Sequence, residues 1–207
     1  MTLVAKKSQV LRDFVWAPLR LTVLSDEQCA RLGLTSINRQ RIDFALGYCR
    51  GDLLDIGSGN NELVKRHRGS AIGVDVFDWK SGALVLEDTS MLPFGDKSFD
   101  TVTFLACLNH IPNREAVIAD ARRVLKDDGR FVATMINPVI SWFGHKYLWW
   151  YAEHHERGMA PGEVYGFWTR DLVALMSQAE MQLTTHRRFV YGLNNLYVFN
   201  KKPSAPG

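Results

Sequence analysis

Cysteine is scarce in this 207-residue sequence. Cys29, Cys49 and Cys107 are widely spaced and odd in number, and none stands in a CxxC or at zinc-ligand spacing with histidine. That argues against a disulfide framework or a structural metal and fits a reducing compartment. An excess of one charge sign is lacking too: 25 basic residues against 22 acidic leave a formal net charge of +3. A protein whose main partner is a phosphate backbone is far more lopsided, so nucleic acid is not expected as a partner. No run approaches the roughly 20 uninterrupted apolar residues that span a bilayer. The N-terminal apolar stretch is broken by Arg12, Asp13, Pro18 and Arg20 and does not read as a secretory h-region. A cytoplasmic location is the expectation. Repeats and low-complexity tracts are missing as well, and only the tail, residues 201–207, has the composition of a fraying linker. What remains, 46% hydrophobic and 23% charged, is an ordinary folded composition at a length that suits one core.

Short β-branched runs recur at residues 53–56, 71–74, 83–86, 101–105 and 131–135 with helical spacers between them, the alternation of a parallel sheet built from βαβ units. Their near-continuous apolarity marks all five as central strands. Runs at 182–190 and 196–199, separated by the turn-rich 191–195, predict a closing antiparallel hairpin. Helices are expected over 115–125, ending at Lys126-Asp127-Asp128-Gly129 with Gly129 as a left-handed cap, and over 169–180. Upstream, Ser25-Asp26-Glu27-Gln28 has the form of a capping box, and Ile37, Arg41, Phe44, Ala45 and Tyr48 suggest a further helix up to Gly51. The organisation predicted is a helical cap over residues 1–50, a domain over 51–200 and the tail. An insertion at 137–168 is loaded with rings, among them Trp142, Trp149, Trp150, Tyr151 and Tyr165.

The most informative stretch follows the first strand. Gly57-Ser58-Gly59-Asn60 allows a tight turn whose backbone approaches a ligand closely, and a helix starting near Glu62 would present its amides there, so a nucleotide-like ligand is expected. A dinucleotide site would want a third glycine at position 62 and has a negative charge instead, which disfavours NAD. Asp55 suits a ligand that carries an ammonium group. Asp75, eighteen residues after Gly57, ends the second strand where a carboxylate accepts hydrogen bonds from ribose hydroxyls.

Five segments in register carry a resemblance: Leu54-Asp55-Ile56-Gly57-Ser58-Gly59; Gly73-Val74-Asp75; the acidic stretch from Glu87-Asp88-Thr89 to Asp100; His110-Ile111-Pro112; and Arg123-Val124-Leu125-Lys126 with Gly129. Over roughly residues 50–136 the chain resembles a class I S-adenosylmethionine-dependent methyltransferase, in the small-molecule branch related to ubiquinone and menaquinone biosynthesis enzymes. The resemblance implies S-adenosyl-L-methionine as cofactor and a small-molecule acceptor. It places the loop Gly57, Ser58 and Gly59 under the methionine portion, Asp75 at the ribose, and Asp88 on the adenine amino group with the Thr89 amide on a ring nitrogen, and counts Asn60 and Val76 among the cofactor-binding residues. Leu105 and Ala106 would stand beside the transferred methyl, with His110 on the cofactor side. The sequence departs from the family at Asn109, where Glu is frequent. The fold expected is α/β: a Rossmann-like, doubly wound sheet of about seven strands, mostly parallel, with a C-terminal antiparallel hairpin and an N-terminal helical cap.

Methyl transfer from a sulfonium needs no protonation of the leaving group, but an acceptor hydroxyl or protonated amine must lose a proton, and His is the first type to consider near neutral pH. His110, His145 and Tyr151 are the catalytic candidates. His145, Glu153, His154, His155 and Glu156 match no zinc spacing, and no metal site is expected. The aromatic segment reads as core plus the wall or lid of an acceptor pocket. Insertion of Trp149-Trp150 into a membrane interface is a further, less favoured reading. Two rival functions are a non-catalytic binder of the same cofactor and a nicotinamide-dependent oxidoreductase. The sequence leaves the acceptor atom and the oligomeric state open.

Overall fold

The computed structural model describes residues 7–22, 24–139, 141–142 and 161–203. Four helices precede the sheet: α1 (Lys7–Val15), α2 (Ala17–Thr22), α3 (Asp26–Arg31) and α4 (Ile37–Leu46). The capping box forms as expected, with Ser25 Oγ accepting from Gln28 N at 3.2 Å and Gln28 Oε1 accepting from Ser25 N at 2.9 Å. Ser36 caps α4 by accepting from Arg39 N. α1 and α2 lie outside the elements expected from the sequence.

The remaining elements are β1 (Leu53–Ile56), α5 (Glu62–Arg66), β2 (Ala71–Asp75), β3 (Leu84–Val85), β4 (Phe99–Leu105), α6 (Arg114–Val124), β5 (Leu125–Ile136), α7 (Thr169–Gln178), β6 (Met181–Phe189) and β7 (Asn194–Lys201), with a 3-10 turn at Leu108–His110. They build one seven-stranded sheet in the order β3-β2-β1-β4-β5-β7-β6. Every pair is parallel except those of β7, which runs antiparallel to β5 and β6. The chain builds outward from β1 to β3 and then returns to place β4 on β1's other side. The topological switch point, where open α/β sheets hold ligands, therefore lies at β1 and β4.

Alternation along the central strands feeds two cores. Leu54, Ile56, Val102, Phe104, Phe131 and Ala133 face α6 and α7, whereas Leu53 and Val132 face α4 and α5. Phe104 and Phe131 are fully buried and meet edge to face at 5.8 Å. Burial of each such side chain stabilises by about 1.5–3 kcal/mol. One polar residue of the motifs has a structural task. The Arg123 guanidinium binds Asp120, Asp96 and the carbonyls of Leu92 and Phe94, and so ties the loop before β4 to α6.

Three expectations need correction. The third run forms only the two residues of β3, both exposed, because it is the sheet edge and not a central strand. Gly129 does not cap a helix: α6 ends at Val124, Leu125 is already extended (φ −76°, ψ 133°), and residues up to Gly129 form an irregularity within β5 opposite residues 99–101. The tail is anchored at its start, since Lys201 closes β7 and Lys202 N donates to Glu180 O at 2.8 Å. No helix among the described residues is long and apolar enough to cross a membrane.

Candidate functional site

At the carboxyl ends of β1, β2, β4 and β5 lies a cleft of about 1200 Å³. Its floor is the turn after β1. Gly57 has φ +70°, and a Cβ there would lie 2.6 Å from Cys107 Cβ, so the turn needs glycine for both conformation and space. A second close approach comes from below: a Cβ on Gly73 of β2 would meet Asn61 Oδ1 and Ser58 Oγ. The turn is held by its own amides. Gly57 N and Ser58 N both donate to Val74 O, at 2.9 and 3.1 Å. These two amides are therefore spent inside the protein, and the glycines contribute closeness of backbone instead of free donors.

Two acids stand under this turn. Asp75 Oδ2 accepts from Gly59 N at 2.8 Å and Oδ1 from Phe77 N at 3.0 Å. Each carboxylate oxygen retains acceptor capacity for a hydroxyl. Asp55 is 2% exposed, and its Oδ1 accepts from Thr103 Oγ1 at 2.5 Å. Burial pushes Asp55 up to about 7, the charge of Asp75 adds to that, and the Thr103 hydrogen bond opposes it. The native state thus keeps a proton that the unfolded chain releases near pH 4. Stability from this group falls as pH rises from about 4 and is fully lost above about 7. Asp55→Asn is accordingly expected to raise the melting temperature by an amount that grows across that window. Thermal melts from pH about 4 to about 8 check this, and a pH-independent shift contradicts it.

Asp88 and Thr89 lie on the cleft's other flank. Asp88 accepts from Ser90 N at 2.8 Å, Ser90 Oγ at 2.6 Å and Asn113 Nδ2 at 3.2 Å, and these bonds, the Ser90 hydroxyl first, hold its carboxyl below the usual range. Asn60, Val76, Leu105 and Ala106 also line the cleft. Ala106 adopts φ +55°, a strained conformation for a residue with a Cβ, where β4 gives way to the turn carrying His110. Cys107 donates to Ile56 O at 3.0 Å, and burial raises its thiol far above the ordinary range, so it is no thiolate nucleophile.

His110 Nδ1 faces Glu163 Oε2 at 3.5 Å, and the Glu163 side chain is only 2% exposed. Residues 161–168 are fastened beneath them: Val164 N donates to Asn109 O at 2.9 Å, the Arg114 guanidinium donates to Gly162 O, and Arg114 lies over the Phe167 ring at 5.5 Å. Asn109, the departure noted in the sequence, is thus a buried backbone anchor for this segment. Met135, Ser141 and Tyr165 complete this side, and Arg20, Leu24, Ser25, Asn38 and Arg41 form the rim from the N-terminal helices. The structure brings together every cofactor candidate and His110. His145 and Tyr151, with His154 and His155, lie outside the described residues, as does most of the expected lid. Glu163 was not singled out by sequence, and Arg41 was read only as a helix residue. Glu163 is an acid between Gly162 and Gly166 in a segment dominated by rings, and that placement is the available signal. Among the described residues no group of three or more His, Cys, Asp or Glu could hold a metal ion.

A family described as a methyltransferase domain matches residues 54–133, from β1 into β5 and across the whole floor of the cleft. Over this span the chain carries a methyltransferase domain, and the proteins it resembles include S-adenosylmethionine-dependent methyltransferases. Demethylmenaquinone methyltransferase of Tropheryma whipplei is 32% identical over 42% of this chain and 43% of its own length. The 27-O-demethylrifamycin SV methyltransferase of Amycolatopsis mediterranei is 37% identical over 58% of this chain and 52% of its own. An uncharacterized Methanocaldococcus jannaschii protein is 35% identical over 41% and 37%. The chain thus spans about half or less of the length of these curated relatives. Among solved structures, a Pyrococcus horikoshii protein superposes with a TM-score of 0.61 at 19% identity, covering 91% of this chain and 99% of its own. The Burkholderia thailandensis 1,6-didemethyltoxoflavin-N1-methyltransferase, with 1,6-didemethyltoxoflavin and S-adenosylhomocysteine bound, gives 0.60 at 14% identity, covering 97% and 92%. At these identities the likeness shows a shared fold.

Proposed function

We propose that this protein is a methyltransferase that binds S-adenosylmethionine across the turn at 57–59 and transfers its methyl group to a small-molecule acceptor in the same cleft. One observation carries the reading: Asp55, Asp75, Asp88, Leu105, Ala106 and His110 come from five separate segments and converge on one cleft, whose volume of about 1200 Å³ exceeds what a single drug-sized ligand needs. The donor set fits a cation. Two buried acids sit under the turn where a ligand with a sulfonium and an ammonium would lie, and a positive charge beside Asp55 favours its ionised form. Affinity for the cofactor is therefore expected to rise with pH through about 7.

When bound, S-adenosylmethionine supplies an electrophilic methyl whose carbon–sulfur bond breaks with the electron pair left on sulfur, as a lone pair of the acceptor forms the new bond. The chain's own residues hold the acceptor in line, exclude water and take its proton. His110 is assigned that proton. Glu163 at Nδ1 favours the tautomer in which Nδ1 carries hydrogen and Nε2 accepts. Asp75 is assigned the ribose, Asp88 and the Thr89 amide the adenine, and residues 1–50 the cap over the acceptor. The relatives named for demethylmenaquinone and 27-O-demethylrifamycin SV support a small molecule in place of a macromolecule. A cytoplasmic setting is supported by Cys29, Cys49 and Cys107, all free thiols. Incubation with methyl-labelled S-adenosylmethionine and a panel of quinols, phenols and amines tests the reading. Label transfer to one acceptor with stoichiometric S-adenosylhomocysteine is expected, and failure to bind either form of the cofactor overturns it.

A further inference from the structure

A surface helix ordinarily turns its apolar face inward. In α1 and α2 the order is reversed. The inward groups are polar: Asp13 and Arg20 are 6% and 2% exposed. Asp13 Oδ1 accepts from Thr35 N at 2.9 Å, and the Arg20 guanidinium donates to the carbonyls of Asp13 and Thr35 at 2.7 Å and to Gln40 Oε1 and Tyr191 Oη at 3.1 Å. The outward side carries Val10, Leu11, Phe14, Val15, Trp16 and Leu19, each 42–65% exposed. Rolling these helices to hide the apolar side would strip Asp13 and Arg20 of their partners, which costs more than it gains. The face is therefore held outward, and a contiguous apolar face of this kind marks a site of interaction.

Its charge selects the partner. Lys7 and Arg12 are the exposed charges of residues 7–20, with no exposed acid among them, and Lys6 precedes them in the sequence. Tyr191, just beyond β6, meets Phe14 edge-on at 6.0 Å, and Arg187 and Arg188 of that strand are exposed. The following acids, Asp26 and Glu27, are engaged with Asn38 and Arg31. We propose that α1–α2 seats this protein on an anionic membrane surface, with the apolar side chains at the acyl boundary and Lys7 and Arg12 among headgroup phosphates. A second copy suits the face less well, since self-complementary pairing would bring the same basic residues together. Arg20 and Leu24, from the inward side of the same region, line the cleft, so a seated α1–α2 brings the cleft close to the membrane. The proposal rests on this surface and not on methyl transfer, and vesicle binding is read without turnover, so either can fail alone.

The test is co-sedimentation of the full chain with vesicles of phosphatidylcholine and phosphatidylglycerol in equal parts, and of phosphatidylcholine alone. Binding to the anionic vesicles is expected, weakened by salt. The double variant Leu11→Glu, Val15→Glu is expected to reduce partitioning by about a hundredfold, roughly tenfold for each lost apolar side chain, with little change in melting temperature because both side chains stand largely in water. Lys7→Glu with Arg12→Glu is expected to abolish the preference for anionic lipid while leaving the apolar face intact. Absence of wild-type binding to the anionic vesicles overturns the proposal, and so does binding that the apolar double variant leaves intact. A concentration-dependent dimer that the same variant dissolves also overturns it, in favour of a second copy.

Discussion

His110→Gln is expected to lower kcat by about 10²–10⁴-fold, the range for losing a general base, while S-adenosylhomocysteine binds as before. The argument is geometric. His110 follows β4, the strand whose end sits beside the reacting methyl in this account, and its ring is fixed by a carboxylate whose side chain is 2% exposed. Gln keeps much of the volume and a polar tip but cannot cycle a proton. Glu163 acts through His110 and is a positioning residue: Glu163→Gln should lower kcat by about 10–100-fold, as loss of a supporting partner does, and Glu163→Asp should restore part of it. Steady-state kinetics beside calorimetric binding separate the roles. If His110→Gln weakened S-adenosylhomocysteine as much as it slowed turnover, His110 would be a cofactor contact and the base would lie elsewhere.

Asp75→Ala should weaken S-adenosylmethionine and S-adenosylhomocysteine alike by about 1.5–3 kcal/mol, or roughly 10- to 150-fold, the range for hydrogen bonds to a charged group. The structure gives this residue a second task, since the same carboxylate fastens Gly59 N and Phe77 N. Its loss therefore also frees the turn on which the cofactor lies. Asp88→Ala should weaken both ligands as well, and by less, because that carboxylate is exposed. A loss at Asp88 confined to one of the two ligands would contradict an adenine contact, as both carry the same base. Unchanged affinity in folded Asp75→Ala would show that β2 does not end at the ribose.

Much of the fold was legible because strand signals and loop chemistry agree. Residues 53–59 pair a buried apolar run with glycines that only a tight turn requires, and 182–199 show two runs with no room for a helix between them. Where reading failed, tertiary context had overridden local pattern. The run 83–86 is as apolar as its neighbours, yet only position in the sheet decides that β3 is a short exposed edge. Gly129 has the look of a helix cap, but a glycine inside a strand irregularity looks the same. α1 and α2 escape a search for an inward apolar face because their inward face is Asp13 and Arg20. At the site, local motifs announced the cofactor half. The half proposed for the acceptor is assembled from distant pieces such as His110 and Glu163, 53 residues apart in sequence and 3.5 Å apart in space, and no local pattern announces such a meeting.

Calorimetric titration of the unliganded protein with S-adenosylmethionine, S-adenosylhomocysteine and NAD bears most directly on the central claim. The account predicts one site that takes both sulfur ligands and is weakened by Asp75→Ala, with no heat from NAD because Glu62 sets a negative charge where a pyrophosphate would rest. Binding of NAD with neither sulfur ligand bound would contradict it.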